Sequence, residues 1–169
     1  LSDITTALED NNNSNAELKA AAKIKREYPS TPGSDPDLGY TFSRPYIVNS
    51  YAADGPVVIA GNGYNSTNGN AVLYILNPET GAVLKKIDTL SGTCNGLSSV
   101  LVIDVNNDGK MDYAYAGDLN GNLWKFDCTD SDISNWDVAY KTTAGSPAPL
   151  FQALDATGNF YQWCDSIGN

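Results

Sequence analysis

The chain has 169 residues, a formal net charge of −10 and no histidine. That length suits one domain with a real core. The acidic balance repels nucleic-acid phosphates, and the lack of histidine removes the usual general base and the commonest zinc ligand. No stretch of the sequence approaches the roughly 18 apolar residues of a membrane span. We therefore expect neither a nucleic-acid partner nor a membrane span.

The first part of the chain, residues 1–38, differs in composition from the rest. Residues 16–26 (AELKAAAKIKR) are rich in helix formers and follow Asn15, which predicts a short capped helix. Three prolines and a glycine in residues 28–38 predict a loop. Because the sequence begins with Leu1 and has no signal peptide, we expect a piece of a longer or processed protein.

From residue 39 to residue 169 the pattern is one of short strands and tight turns. Four short apolar runs predict a first unit. They cover residues 45–51, 56–61, 70–77 and 82–88. A second unit repeats this plan. Its predicted strands cover residues 98–104, 112–117, 122–127 and 136–141. Turns at 78–81 (PETG) and 118–121 (DLNG) separate strands within the units.

A four-stranded unit that repeats about every 40 to 50 residues is typical of propeller blades. We predict an all-β fold: a partial β-propeller with two complete blades plus fragments, in which residues 1–38 hold part of a preceding blade. Residues 149–154 and 160–163 are predicted to begin a further strand pair. A closed propeller needs about four to eight blades, so either the natural protein is longer or its open strand edges pair with other chains.

The strongest chemical motif is D-x-N-x-D-G-x-x-D at residues 104–112. Its predicted ligands for Ca²⁺ are oxygen donors at alternating positions. They are the side chains of Asp104, Asn106, Asp108 and Asp112 and the backbone carbonyl of Lys110. Calcium takes six to eight hard oxygen ligands, and Gly109 permits the sharp bend. Tyr115 stands where an EF-hand has its bidentate Glu, and strands flank the loop, so this is not an EF-hand. The alternative is an Asn/Asp-rich hairpin turn held by side-chain-to-backbone bonds.

Other candidate residues favour structural roles. The polar stretch 62–70 is predicted to be a surface loop, and the aspartates at 127, 130 and 132 a solvated cluster. The tryptophans at 124, 136 and 163 are predicted to pack in the core rather than form a sugar platform. The cysteines are Cys94, Cys128 and Cys164, and two interpretations stay open: a Cys94–Cys128 disulfide that leaves Cys164 over, or three buried thiols.

Several blocks of sequence resemble the C-terminal propeller of PilY-type proteins. They are residues 37–45 (DLGYTFSRP), 60–77 (AGNGYNSTNGNAVLYILN), 95–98 (NGLS) and 104–127, within a similarity that covers residues 37–158. The resemblance implies a secreted, non-enzymatic protein at the tip of a type IV pilus, associated with the outer membrane. It also implies minor pilins as partners, a role in pilus assembly, adhesion and twitching motility, and calcium bound by the five residues named above to oppose retraction.

Two other functional classes remain to be weighed. A structural subunit of an extracellular filament would pair its open β edges with neighbouring copies. A glycosidase would use two carboxylates, but no motif singles out a pair among the twenty acidic residues, so we predict that the chain is not an enzyme.

Overall fold

The computed structural model describes residues 27–52, 55–92 and 94–159. In this part of the chain the regular elements are nine β-strands in two antiparallel sheets and one short 3₁₀ helix. The strands are β1 (Tyr46–Val48), β2 (Val57–Gly61), β3 (Val72–Leu76), β4 (Val83–Asp88), β5 (Leu101–Ile103), β6 (Tyr113–Gly117), β7 (Asn122–Asp127), β8 (Asp137–Val138) and β9 (Phe151–Gln152). The 3₁₀ helix covers Ile133–Asn135. The all-β prediction is confirmed, and the helix predicted at 16–26 lies outside the described residues.

The first sheet has the strand order β1-β2-β3-β4, as expected for a meandering blade. Strand β2 alternates buried and half-buried residues, whereas β3 is buried along almost its whole length. The predicted turn at 78–81 connects β3 to β4. The N–H of Gly81 donates to the Asn77 carbonyl over 2.9 Å, and Gly81 has a φ of +71°, which favours glycine.

The second sheet repeats the order as β5-β6-β7-β8. This sheet differs from the prediction at its C-terminal end, where a fifth strand joins it. Strand β9 pairs antiparallel with β7 through Leu123 and Phe151, beside the pairing of β7 with β8. Residues 151–152 therefore extend the second sheet, while residues 160–163, the other half of the predicted strand pair, lie outside the described residues.

The hydrophobic core draws buried side chains from both sheets. Ile59, Leu73 and Ile75 come from the first sheet, and Trp124 and Phe126 come from the second. Trp136 joins them fully buried, and its indole N–H donates to the Asp130 carbonyl over 2.8 Å. The predicted core role of residues 124 and 136 is confirmed, and Trp163 lies outside the described residues.

The proline-rich loop before the first sheet is anchored by a buried carboxylate, Asp35. It accepts hydrogen bonds from the hydroxyls of Tyr28 and, over 2.8 Å, Tyr74, and the ammonium of Lys86 lies 2.6 Å away. Lys86 also contacts Asp37 over 2.9 Å. The loop prediction for residues 28–38 is confirmed, and this loop packs directly on the first sheet.

Two Asn–Gly pairs join neighbouring parts of the fold. The Asn62 amide donates to the carbonyls of Asp37 and Asn70, and its oxygen accepts from the backbone N–H groups of Val72 and Leu97. Asn62 is fully buried. The predicted surface loop 62–70 therefore begins with a structural residue in the interior.

The second pair repeats this role one unit later. The Asn95 amide donates to Ser91 and Asp118, and its oxygen accepts from the N–H groups of Gly96 and Leu119. Asn95 is also fully buried. Each asparagine thus binds both to its own loop and to a segment distant in sequence.

The cysteines differ from the pairing considered from sequence. Cys94 is in a disulfide, whereas Cys128 is a free and fully buried thiol whose pKa is raised by that burial. A Cys94–Cys128 disulfide is therefore wrong, and so is the alternative of three free thiols. Cys128 lies in the hydrophobic core, where it packs as a small apolar group.

Within the described ranges, no helix has the length and apolar character needed to cross a bilayer.

Candidate functional site

The acidic loop 104–112 connects β5 to β6 in the second sheet. Asp104 begins the loop and curls it, since its carboxylate accepts from the backbone N–H groups of Asp108 over 3.3 Å and Gly109 over 2.8 Å. Asn107 and Gly109 have φ values of +60° and +83°, in the left-handed region that such a bend requires. The loop therefore turns its side chains inward over a short stretch of backbone.

Asp112 closes the base of the loop. It is buried, and its Oδ2 accepts from the N–H of Val105 over 2.6 Å. Its own N–H donates to the Ile103 carbonyl over 2.9 Å, so the last residue of the loop is tied to the end of β5. The remaining oxygen, Oδ1, lies 3.0 Å from the hydroxyl of Tyr51.

Three of the four predicted side-chain ligands converge on the hydroxyl of Tyr51. This hydroxyl lies 2.8 Å from Oδ2 of Asp108 and 3.0 Å from Oδ1 of Asp112. It accepts a hydrogen bond from the Asn106 amide over 2.9 Å. Tyr51 belongs to the connection between β1 and β2, so the first sheet supplies a group at the centre of a loop of the second sheet.

The contacts with Tyr51 also set the charge state of the site. The hydrogen bond from Tyr51 is the largest influence on Asp108 and holds the pKa of that carboxyl below its usual value. The Asn106 amide is the largest influence on Tyr51 and would lower its pKa, but the Asp108 and Asp112 carboxylates raise that pKa to about 12. At neutral pH the tyrosine is therefore a neutral donor beside an ionised carboxylate.

Asn49 fixes the loop against the first sheet. Its carbonyl accepts from the N–H of Met111 over 2.9 Å, and its side-chain amide donates to the Gly109 carbonyl over 3.2 Å. The Lys110 ammonium lies 4.9 Å from the centre of the Tyr51 ring, a cation–π contact. The loop is therefore held between two blades rather than projecting alone.

The structure brings together most of the residues predicted from sequence. Asn106, Asp108 and Asp112 share one centre, whereas Asp104 is directed at backbone N–H groups. Lys110 contributes its N–H to Asp108 over 2.9 Å. In the described residues, no three acidic or cysteine side chains are gathered as a ready-made metal cluster. The side-chain-to-backbone bonds of the hairpin-turn alternative are present, so the calcium ligands stay a prediction.

Sequence reasoning missed Tyr51. It lies 57 residues from Asp108, in a short segment without a motif. Periodicity and spacing report only local relations, so nothing in the sequence pointed to this pairing.

The other acidic cluster has a structural role. Asp132 caps the 3₁₀ helix by accepting from the N–H of Ser134 over 2.8 Å. Asp130 accepts from the N–H of Asp132, and Asp127 from the N–H of Thr129. These three carboxylates accept from backbone N–H groups of their own turns, and Asp130 and Asp132 are exposed, as predicted, while Asp127 is half-buried.

The two sheets are antiparallel four-strand meanders that share one core. The two Asn–Gly pairs join neighbouring parts of these meanders. This arrangement is that of blades of a β-propeller. The family model described as the PilY1 beta-propeller domain matches residues 6–166, and the chain belongs to this family. The all-β propeller prediction and the resemblance to PilY-type proteins are confirmed.

Curated relatives and a solved structure agree with this assignment. The chain is 44% identical over 140 residues to the type IV pilus biogenesis factor PilY1 homolog of Xylella fastidiosa, covering 74% of this chain and 9% of that protein. It is 41% identical over 138 residues to PilY1 of Pseudomonas aeruginosa, covering 73% of this chain and 12% of that protein. The crystal structure of the Pseudomonas aeruginosa PilY1 C-terminal domain matches with a TM-score of 0.65 and 38% identity, over 75% of this chain and 28% of that one.

The chain thus spans about a tenth of the length of the curated relatives it matches. Those relatives are named as type IV pilus biogenesis factors.

Proposed function

We propose that this chain is a calcium-binding module of a type IV pilus biogenesis factor. In this role it supports pilus assembly, surface attachment and twitching motility, and it acts without catalysis at the pilus tip together with minor pilins. The observation that carries the proposal is the convergence of Asn106, Asp108 and Asp112 on one centre, in a chain of the PilY1 propeller family.

The donor set fits calcium by its chemistry. Asp104, Asn106, Asp108 and Asp112 offer carboxylate and amide oxygens, and the Lys110 carbonyl adds a main-chain oxygen. Hard oxygen ligands in an irregular loop suit Ca²⁺, which accepts varied geometry, better than Mg²⁺, which demands near-ideal octahedral geometry. The bound ion would neutralise the loop's carboxylates and would fasten the β5–β6 connection.

Because of the position of the loop, calcium binding would affect the mechanical stability of the contact between the blades. Asn49 of the first blade already contacts the loop of the second blade, at the Gly109 carbonyl and the Met111 N–H. An ion that stiffens the loop would stabilise the contact between the blades, and a ligand that binds only the folded state stabilises that state by mass action. This coupling would suit a module that must resist force during pilus retraction.

Calorimetric titration of calcium into chelator-stripped protein tests the site. We expect saturable binding at one site, and calcium at about 100 times its dissociation constant should add roughly 2.7 kcal/mol to the free energy of unfolding. Asp108→Ala should weaken binding at least about tenfold, because it removes one charged ligand.

The matched control is Glu79→Ala, which removes an exposed carboxylate from the β3–β4 turn, away from the loop. It should bind calcium like the wild type. Equal binding by wild type and Asp108→Ala would remove the loop from the proposal, and the hairpin-turn interpretation would replace it.

A second candidate function is a structural subunit of an extracellular filament. Among the described residues, the outer strands β1, β4, β5 and β8 each pair with one neighbouring strand only, and β1 exposes Ile47 while β5 exposes Leu101. Unpaired strand edges of this kind can be completed by strands of another copy. Light scattering over a range of concentrations separates the two functions, since a filament subunit grows in mass with concentration and a constant monomer mass would exclude it.

A further inference from the structure

Tyr51 lies outside the calcium loop, yet its hydroxyl contacts three of the four side chains proposed as ligands. The distances are 2.8 Å to Asp108, 3.0 Å to Asp112 and 2.9 Å to the amide nitrogen of Asn106. The three side chains therefore point at one place, and the Tyr51 oxygen is at that place.

A cation that takes oxygens from the same side chains must approach the same face of each. Two features of the present arrangement oppose this. The tyrosine oxygen lies between Asp108 and Asp112, and Asn106 presents its NH₂ group, not its oxygen, to the centre. An NH₂ group cannot ligate a cation. The amide must therefore turn, and the hydroxyl must give way, before all three side chains can offer oxygens.

We infer that Tyr51 competes with calcium for the loop side chains and so lowers the affinity of the site. This inference rests on the proposed calcium site and adds its regulation. The hydroxyl is a weak substitute for a divalent ion, because it has a single proton and can donate to only one of the two carboxylates at a time. The ion therefore wins the competition, but at reduced affinity.

The competition also links the ion to the contact between the blades. Tyr51 is in the β1–β2 connection, and its ring carries the cation–π contact with Lys110. When calcium takes the loop side chains, this tyrosine leaves its three partners. Calcium would thus exchange one contact between the blades for a stiffer loop, while the Asn49 bonds to Gly109 and Met111 remain to hold the blades together.

The test compares Tyr51→Phe with the wild type, with calcium chloride as the titrant in calorimetry. Phe keeps the ring and removes only the hydroxyl. We expect Tyr51→Phe to bind calcium about fivefold or more tightly, because hydrogen bonds no longer have to be broken, and to unfold at a lower temperature in chelator. A residue that merely supports the fold would weaken binding when removed, so the direction of the change is diagnostic.

Tyr64→Phe is the matched control. Tyr64 is exposed, stacks on Phe42 and makes no hydrogen bond through its hydroxyl to the described residues. This variant should match the wild type in affinity and in melting temperature.

The outcomes separate the inference from the calcium proposal. If the wild type binds calcium and Tyr51→Phe binds equally or more weakly, the inference is overturned and the calcium site stands. If only Tyr51→Phe binds calcium, competition by Tyr51 is supported, but the proposal of a calcium site in the wild type is rejected. If both proteins are folded and neither binds calcium, the calcium site and the competition by Tyr51 are both rejected.

A measurement on the wild type covers the case in which Tyr51→Phe does not fold. With ¹³Cζ-labelled tyrosine, the NMR signal of Tyr51 should shift on calcium saturation, as its hydroxyl loses three partners, while the signal of Tyr64 should not. An unmoved Tyr51 signal in calcium-saturated protein would overturn the inference.

Discussion

Single polar residues with many partners hold this chain together. Asp35 is 8% exposed and is surrounded by donors from Tyr28, Tyr74 and Lys86. Burial by itself would raise the pKa of Asp35, but the hydrogen bonds from Lys86, Tyr28 and Tyr74 outweigh it and lower that pKa to about 2. The carboxylate therefore belongs to the folded state in its ionised form.

This lowered pKa predicts an acid-dependent loss of stability. An unfolded aspartate has a pKa of about 3.9, so the folded state is favoured above that pH and loses the contribution as the pH falls from about 4 to about 2. The contribution amounts to about 2 kcal/mol. Urea unfolding at pH 6 and at pH 2 should show a smaller loss in Asp35→Asn than in the wild type.

Glu79→Gln provides the comparison, since it removes an exposed carboxyl outside this cluster. It should keep the wild-type dependence on pH. If Asp35→Asn loses as much stability on acidification as the wild type, the Asp35 cluster does not anchor the loop.

At the scale of the elements, the strands could be predicted from local sequence patterns, but the contacts between residues distant in sequence could not. Apolar runs predicted both four-stranded meanders, because strands such as β2, β6 and β7 bury alternate residues. The run 98–104 is shorter as β5, Leu101–Ile103, and Leu97 before it makes a separate bridge with Asp118. The run 136–141 shortens to β8, Asp137–Val138, and Lys141 makes a separate bridge with Pro147.

The candidate site shows the same division. The sequence predicted loop 104–112 and the inward oxygens of Asp108 and Asp112, because alternating donors around Gly109 are a local feature. It could not predict that Tyr51 occupies the centre or that Asn62 is buried, since both depend on partners tens of residues away. Long-range pairing of polar groups leaves no periodic trace in the sequence.

At the junction between the blades, we predict that Gly96 cannot be replaced by a larger residue without a large loss of stability. A methyl group on Gly96 would lie 2.0 Å from the backbone oxygen of Gly63, a contact that side-chain movement cannot relieve. Gly96→Ala should therefore lower the free energy of unfolding by about 3 kcal/mol, as overpacking of a rigid contact does. Urea unfolding measures this loss.

Gly117→Ala, at the end of β6, is the matched control. Its methyl group would meet Ser98 Oγ at 3.6 Å and the Asn122 carbonyl at 3.8 Å, which are ordinary contacts. Its effect should stay well below that of Gly96→Ala. Equal effects of the two variants would mean that close backbone approach does not govern the junction.

At the scale of the whole molecule, the candidate site lies where the first sheet contacts the β5–β6 loop of the second. The chain belongs to the PilY1 propeller family, and two of its blades clasp an acidic loop through Asn49 and Tyr51. The proposed calcium ion would act on that clasp and not on any reaction. Loss of the ion should therefore appear as a failure of pilus function in cells, with the protein still made.

The most direct test is the amount of pilin sheared from the surface of cells that make the protein with Asp108→Ala, compared with the wild type and with Glu79→Ala. Immunoblotting should first show equal levels of the three proteins. We predict that surface pilin falls strongly in Asp108→Ala, together with twitching, and stays at the wild-type level in Glu79→Ala. Wild-type surface pilin in an Asp108→Ala strain whose purified protein no longer binds calcium would contradict the account.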